Sequence, residues 1–214
     1  MVSSQLSASV LRKDDCQKIP WKNGQGLTSE FAIHPVGANV SENSFHWRLS
    51  SAEIVQGGAF SSFPGYERYL ALVKGRELQL NFEPSKRQIL LQLGKVCRFS
   101  GSDSVSSMPN EGPVQDLNLI YSPTHVQAVF ESAALKSKPR SFKMTGTVGF
   151  VYCVEGSVSA SIFPGEMKFL IREGDVLRID LSQAPSRQEG LILIEPEVAG
   201  GNCKLILIEL FVQF

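Results

Sequence analysis

The residues best equipped for chemistry in this 214-residue chain are a glycine-flanked polar strip, two strand arginines and one strand aspartate. The strip reads PWKNGQGLTSE, Pro20 to Glu30. Pro20 blocks a helix, and Gly24 and Gly26 permit positive φ, so the backbone there can bend sharply. Lys22 is then free to present an ammonium, and Asn23 both a donor and an acceptor. Trp21 can cover a site with an apolar plate. The exposed N–H groups of such a loop can also form a small anion nest. Thr28 and Glu30 share one face of the strand that follows. A plain turn capped by Asn23 over a buried Trp21 needs fewer polar groups than this, so the strip is read as the lip of a binding mouth.

Arg48 sits in FHWRLSS. Period-2 alternation puts Phe45, Trp47 and Leu49 on one face and His46, Arg48 and Ser50 on the other. The pattern leaves open which of Trp47 and Arg48 faces an interior. Arg68 opens the strand RYLALV. A guanidinium grips a planar carboxylate through two parallel hydrogen bonds, which suits an anion site; the plainer alternative is a surface arginine at a strand end. Asp116 and Asn118 alternate with Leu117 and Leu119 in DLNLIY and share a face. Asp116 there can pair with an arginine, accept from a ligand or act as a general base. A buried salt bridge bracing the fold would use it equally well.

The elements that must position these residues are strands. Segments such as FHWRLSSAEI, RYLALV, ELQLNF, LNLIYS, GFVYCV, DVLRIDL and KLILIELFV recur, with turn-formers between them at intervals of about 8 to 12 residues, as in an all-β sandwich or barrel. Helical periodicity is scarce; the one candidate helical turn is SSMPNEG. A duplication is also legible. Val73-Lys74-Gly75 aligns with Val154-Glu155-Gly156, and Gly94-Lys95-Val96-Cys97-Arg98-Phe99 aligns with Gly174-Asp175-Val176-Leu177-Arg178-Ile179. A single-residue gap suffices between these anchors. Each copy reads as strand, glycine turn, strand, loop, strand, glycine turn, strand, with each glycine closing a hairpin at positive φ. Two copies of one β-unit follow. The join, Phe99 to Asn118, has the Ser, Gly and Pro content of a long loop able to fold over a mouth.

Bulk properties exclude several classes. Lys+Arg and Asp+Glu are both 21, so no net field attracts a phosphate backbone, and nucleic acid is not expected as a partner. The basic run from Lys136 to Arg140 reads as a solvated loop broken by Pro139. The first sixteen residues lack the apolar core of a signal peptide. No segment approaches the roughly 20 apolar residues that span a bilayer. A soluble, cytoplasmic protein without membrane contact is expected. Cys16, Cys97, Cys153 and Cys203 show no CxxC spacing, and three of them fall in apolar strands as core residues.

The V-x-G and G-D-V-L turns of the duplicated unit resemble the cupin barrel. Metal-binding cupins keep two histidines and a glutamate before the first turn. Here the glutamate position is Arg68, the histidine positions fall near Ser61 and Phe63, and the second copy has Gly149. The chain has only three histidines, His34, His46 and His125, in separate segments. A His-rich metal site is therefore not expected, and no cofactor is implied.

Four motifs sharpen this likeness: PWKNGQGLTSEF, FHWRLSSAEI, GAFSSFPGYERYLALVKG and GPVQDLNLIY. In this order, over roughly residues 15 to 125, they resemble the HutD/Ves family of the cupin superfamily. Gln25 stands where the family usually has glycine, and NLIYSP where relatives often end Met-x-Arg-Arg. The resemblance implies an all-β bicupin: two jelly-roll, cupin-like barrel lobes packed together, with few short helices. The expected division is a tail at 1–14, a first lobe at 15–110 and a degenerate second lobe at 111–214. The resemblance favours Arg48 facing inward. It implies a metal-free protein that binds a small carboxylate, such as urocanate or a formylated glutamate, and limits or senses histidine degradation. The expected ligand-binding residues are Trp21, Lys22, Asn23, Thr28, Glu30, Arg48, Ser61, Phe63, Arg68, Asp116 and Asn118.

Catalysis is the alternative: a metal-free cupin enzyme using Asp116 and Lys22 as acid and base. The sequence offers no legible nucleophile–base pair, no G-x-S-x-G and no phosphate loop, which puts binding ahead of chemistry. A third reading is an interaction module whose polar strip is simply solvated. Edge strands of cupin lobes often pair into homodimers, and such pairing is open to this chain.

Overall fold

In a computed structural model the described residues are 6–20, 27–181, 189–198 and 200–213. Nineteen strands lie among them. They are β1 (Ser7–Leu11), β2 (Gln17–Pro20), β3 (Leu27–His34), β4 (Trp47–Ile54), β5 (Gly58–Ala59), β6 (Glu67–Lys74), β7 (Glu77–Glu83), β8 (Arg87–Gln92), β9 (Val96–Ser100) and β10 (Ser104–Pro109). They continue as β11 (Val114–Tyr121), β12 (Val126–Lys136), β13 (Arg140–Met144), β14 (Val148–Glu155), β15 (Ser157–Phe163), β16 (Met167–Arg172), β17 (Val176–Asp180), β18 (Gly190–Pro196) and β19 (Asn202–Val212). The only helical turns among the described residues are 3-10, at Lys13–Asp15 and Val40–Glu42.

The chain forms two units, Cys16–Val126 and Met1–Asp15 with Gln127–Phe214. In the first, a six-stranded sheet, β2-β3-β4-β11-β6-β9, faces a four-stranded one, β5-β10-β7-β8. Between them lie Leu70, Leu72, Leu78, Leu80, Phe82, Leu91, Cys97, Phe99 and Val105, all buried. In the second, β1-β17-β14-β19-β12 and β13-β18-β15-β16 enclose a core that includes Val151, Cys153, Ile162, Leu177, Ile179, Ile194 and Leu205. The strand orders correspond: β4-β11-β6-β9 repeats as β12-β19-β14-β17, and β5-β10-β7-β8 repeats as β13-β18-β15-β16. Each unit is a jelly-roll sandwich rather than a closed barrel.

The structure moves several features away from the sequence reading. The segment at 1–14, expected as a tail, contains β1, which pairs with β17. The join from Phe99 to Asn118 is not a long loop but β10 and β11. β11 fills the centre of the large sheet between β4 and β6, and the first unit runs to Val126 rather than to 110. SSMPNEG is no helical turn, because Ser104–Pro109 pairs with β7. The turn glycines do adopt positive φ, at 91° for Gly75 and 84° for Gly156. They do not close hairpins, however. β6 and β7 belong to different sheets, so Gly75 marks a corner between sheets, and the hairpin of that copy is β7–β8. A Cβ at Gly75 would lie 2.7 Å from Val114 Cγ1, and one at Gly156 2.8 Å from Cys203 Sγ, so both corners need the missing side chain. Cys97, Cys153 and Cys203 are buried, and Cys16 is half-buried.

Candidate functional site

Residues directly opposite one another on paired strands point to the same face. In the large sheet of the first unit this rule produces three rows. One is Ile33, Arg48, Ile120, Arg68, Phe99; the next is Glu30, Ser50, Asn118, Leu70, Cys97; the third is Thr28, Ala52, Asp116, Leu72. Leu70, Leu72, Cys97 and Phe99 belong to the core of this unit, so the rows make its inner face. The alternative left open by alternation is thereby decided. Arg48 is on the inner face, and Trp47 is buried on the opposite one, stacked on His34 with ring centroids 5.8 Å apart. A register shift between Glu30 and Ala32 puts both Glu30 and Ile33 on the inner face, which strict alternation along β3 would forbid.

Arg68 is 3% exposed. Its Nη1 donates to the Ser61 carbonyl at 3.1 Å. Its Cζ lies 4.8 Å from the Phe60 ring centroid, 5.1 Å from Phe99 and 5.8 Å from Phe63, which places the cation against aromatic faces. Its Nε is buried without a partner. Burial pushes its pKa down to about 10; the Asp116 charge opposes that shift and Arg48 adds to it. Arg68 therefore stays charged at neutral pH. Among the described residues it forms no ion pair within bonding distance.

Asp116 is fully buried. Its Oδ1 accepts from the Ala52 N–H at 2.8 Å, and its Oδ2 has no partner. Burial raises its pKa from 3.8 to about 7, against the opposing pull of the Ala52 N–H, Arg68 and Arg48. Asn118 is buried with its Oδ1 unpartnered. Arg48 Nε donates to Glu30 Oε2 at 2.6 Å, a largely buried ion pair that takes both charges out of play. One buried cation, one carboxyl of shifted acidity and one amide thus retain unused hydrogen-bonding atoms on one inner face. Most buried polar atoms in proteins are paired, so three unpartnered ones on one face set this face apart from the rest of the core.

The remaining expected site residues are placed as follows. Thr28 is half-buried on the inner face. Phe63 is buried and reaches the site through its ring, whereas Ser61 is exposed and contributes its carbonyl. Trp21, Lys22 and Asn23 lie outside the described residues. Phe60, Phe99 and the Ala52 N–H also shape the site; they fall inside quoted motifs but were not among the expected site residues. Gly101 positions the loop that carries Ser61 and Phe63. Its carbonyl accepts from Phe63 N–H at 2.8 Å, its N–H donates to Tyr66 O at 2.7 Å, and a Cβ there would lie 2.3 Å from Phe63 O.

The three histidines, read as belonging to separate segments, in fact gather. His46 stacks on His125 at 4.1 Å and meets His34 edge-on at 5.5 Å. Burial and its two neighbours lower the His46 pKa. His125 Nδ1 lies 3.0 Å from both Ser122 Oγ and Thr124 Oγ1. Among the described residues no group of three His, Cys, Asp or Glu side chains is arranged to hold a metal ion. The cupin metal position itself does not fit one, because Arg68 puts a buried positive charge there. No helix of the described residues is long and apolar enough to cross a membrane.

A family model described as HutD matches residues 13–192. An uncharacterized 21.2 kDa protein in the hutC 3′ region of Pseudomonas putida is 36% identical over 125 residues, covering 58% of this chain and 63% of that protein. Protein Ves of Escherichia fergusonii is 37% identical over 110 residues, covering 50% and 55% respectively. These alignments thus span less than two thirds of either relative. Among solved structures, HutD from Pseudomonas fluorescens SBW25, in a formate condition, has a TM-score of 0.78 at 29% identity, covering 97% of this chain and all of that one. A conserved protein of unknown function from Pseudomonas aeruginosa PAO1 superimposes with a TM-score of 0.82 at 23% identity, over 97% and 100% of the two chains. A cupin 2 conserved barrel protein from Leptotrichia buccalis, with a TM-score of 0.57 at 10% identity over 95% and 100%, shares the fold alone.

Proposed function

Because this chain belongs to the HutD family, we propose that it is a cytoplasmic, metal-free binding protein for a small carboxylate that modulates histidine utilisation. The observation that carries the reading is Arg68: a buried, charged guanidinium on the inner face of the first unit, with a donor to spare and, among the described residues, no ion-pair partner. Taking such a charge out of water is costly unless something anionic joins it. Asn118 offers further hydrogen bonding, and the aromatic wall of Phe60, Phe63 and Phe99 suits a flat or extended organic anion. The link to histidine utilisation rests on the hut context named for the Pseudomonas putida relative, and urocanate and N-formylglutamate are accordingly the first ligands to try. Trp21, Lys22 and Asn23, which lie outside the described residues, complete the proposed ligand-binding set.

One observation favours a second reading. A carboxyl group that titrates near neutrality, as Asp116 does, is suited to general acid–base work, so a metal-free enzyme acting on the same carboxylate would use it. The two readings separate on turnover: a binding protein returns the ligand unchanged.

A thermal-shift screen with urocanate, N-formylglutamate, formate and glutamate tests the proposal. At 100 times its dissociation constant a ligand adds about 2.7 kcal/mol of stability. Arg68→Ala is expected to lose about 2–5 kcal/mol of binding and with it that shift, while circular dichroism shows the sheet signal retained. A shift equal in both chains would overturn the assignment of the site to Arg68.

A further inference from the structure

We propose that anion binding in the first unit is coupled to a proton, taken up on Asp116 Oδ2, which then donates to the bound carboxylate. The inference rests on the reading of the Arg68 face as an anion site and adds a regulation to it. The geometry assigns the proton to one atom. Asp116 Oδ1 already accepts from the Ala52 N–H and keeps its acceptor role in either charge state. A proton therefore belongs on Oδ2, the oxygen without a partner. An ionised Oδ2 can only accept and repels a carboxylate; a protonated one donates to it.

The charges around Asp116 are few. β3 supplies Glu30, with the uncharged Thr28 beside it, and β4 supplies Arg48; the two charges are committed to each other at 2.6 Å. β6 supplies Arg68, and β11 itself adds the neutral Asn118. β9 contributes Cys97, whose thiol burial pushes to higher pKa against the charge of Arg87 at the start of β8. The core residues of the facing sheet are Leu78, Leu80, Phe82, Leu91 and Val105, without charge. Lys22 lies outside the described residues. With the Arg48–Glu30 pair self-neutralised, the net charge that the described residues give this face is that of Arg68 and Asp116. Ionised Asp116 brings it to zero and sets two carboxylates against one guanidinium when a ligand enters. Protonated Asp116 leaves one positive charge and an O–H donor. A ligand that prefers the protonated state must raise proton occupancy when it binds, by the reciprocity of linked equilibria. The titration of Asp116 near neutrality puts this coupling in the working pH range.

The test is isothermal titration calorimetry of the full chain with N-formylglutamate and with formate. Their carboxylates have ordinary pKa values near 4 or below and stay ionised above about pH 6. Titrations are run in two buffers of unlike ionisation enthalpy and across pH 6 to 8.5. The expected result is uptake approaching one proton per ligand, with affinity falling up to about tenfold per pH unit above neutrality. Asp116→Asn, whose amide presents a donor in place of the proton, is expected to bind in alkali as the wild type does in acid, with no proton uptake. If wild type binds without proton uptake and with a flat pH profile, the coupling is overturned and the anion site stands. If neither probe binds a folded wild type at any pH, the anion reading fails, and the coupling falls with it. Should Asp116→Asn not fold, the wild-type titration in two buffers decides alone.

Discussion

The two units share one strand order, yet their inner faces carry opposite chemistry. In β6, β9 and β11 the inward positions include Arg68, Phe99, Asn118 and Asp116. By the alignment of Gly75 with Gly156 and the matching registers, their counterparts in β14, β17 and β19 are Gly149, Ile179, Leu207 and Leu205. Space that the Arg68 side chain occupies in one unit is closed by Met144 in the other, where a Cβ on Gly149 would lie 2.6 Å from Met144 Sδ. Beside Gly149 and Met144 a cavity of about 90 Å³ remains, with Val151, Ile179, Ile192 and Leu207 also among its lining. Glu209, opposite Gly149, accepts from Thr145 N–H at 2.5 Å and from Gly146 N–H, and so is spent on its own turn. A jelly-roll core made of leucine and isoleucine meets the needs of folding. The buried arginine and aspartate of the first unit are costly to fold around, and at the matching positions the second unit does without them.

The largest effect is expected from making the apolar face resemble the polar one in part. Leu205→Asp puts a carboxyl at the counterpart of Asp116, on a face where the counterpart of Arg68 is Gly149 and supplies no guanidinium. It should lose about 3–5 kcal/mol of stability, read by urea denaturation, with the loss greater at pH 8 than at pH 5. A loss below about 1 kcal/mol would mean that the second face tolerates charge as the first does, and that the comparison has no energetic content.

Asp116→Asn tests the same cost from the other side. The Asp116 pKa is about 7 in the fold against an ordinary 3.8, so the folded chain holds its proton more tightly than the unfolded one. The contribution of this group to stability is then complete below about pH 4 and is lost as pH rises through about 7, at up to about 1.4 kcal/mol per pH unit. In Asp116→Asn that slope should vanish from urea-derived stabilities measured between pH 4 and 8. The variant should surpass wild type at the alkaline end. A wild-type stability that rises across this window in step with the variant would refute the buried-acid description.

Gly101→Ala should cost about 1–3 kcal/mol, because its Cβ would meet the Phe63 carbonyl and lift the loop that presents Ser61 O and Phe63 to Arg68. Ligand affinity should fall along with melting temperature, although residue 101 faces no ligand. This is also where the sequence was least informative. Arg68 is singled out through the cupin resemblance, while the positive φ of the turn glycines, the duplication and the shared face of Asp116 and Asn118 are local patterns, legible from period-2 alternation and spacing. Gly101 is not, because its constraint comes from residues 63 and 66 folding back across a turn about 35 residues away in sequence. The β3 register shift that turns Ile33 inward is hidden for a similar reason: a bulge is defined by the partner strand. β10 and the start of β11 read as linker because Ser, Gly and Pro are frequent from Phe99 to Asn118. Pairing with β7, β4 and β6 overrides that composition. The gathering of His34, His46 and His125 depends on Trp47 lying between His34 and Tyr121 in register, again a fact of pairing.

The smallest effect belongs to Arg98, and it sharpens the comparison most cheaply. Arg98 lies on β9 of the same sheet as Arg48 and Arg68, but one residue before Phe99, so it points outward. Its Nε is 3.2 Å from Glu67 Oε2, and its side chain is 55% exposed. It also lies over the Tyr69 ring at 5.6 Å. An exposed pair of this kind contributes no more than about 1 kcal/mol. Arg98→Ala should therefore change the urea midpoint slightly and leave the carboxylate thermal shift intact. Were the shift lost here as in Arg68→Ala, the anion would be reading the arginine content of the sheet rather than its inner face, and the contrast between the two faces would no longer explain binding.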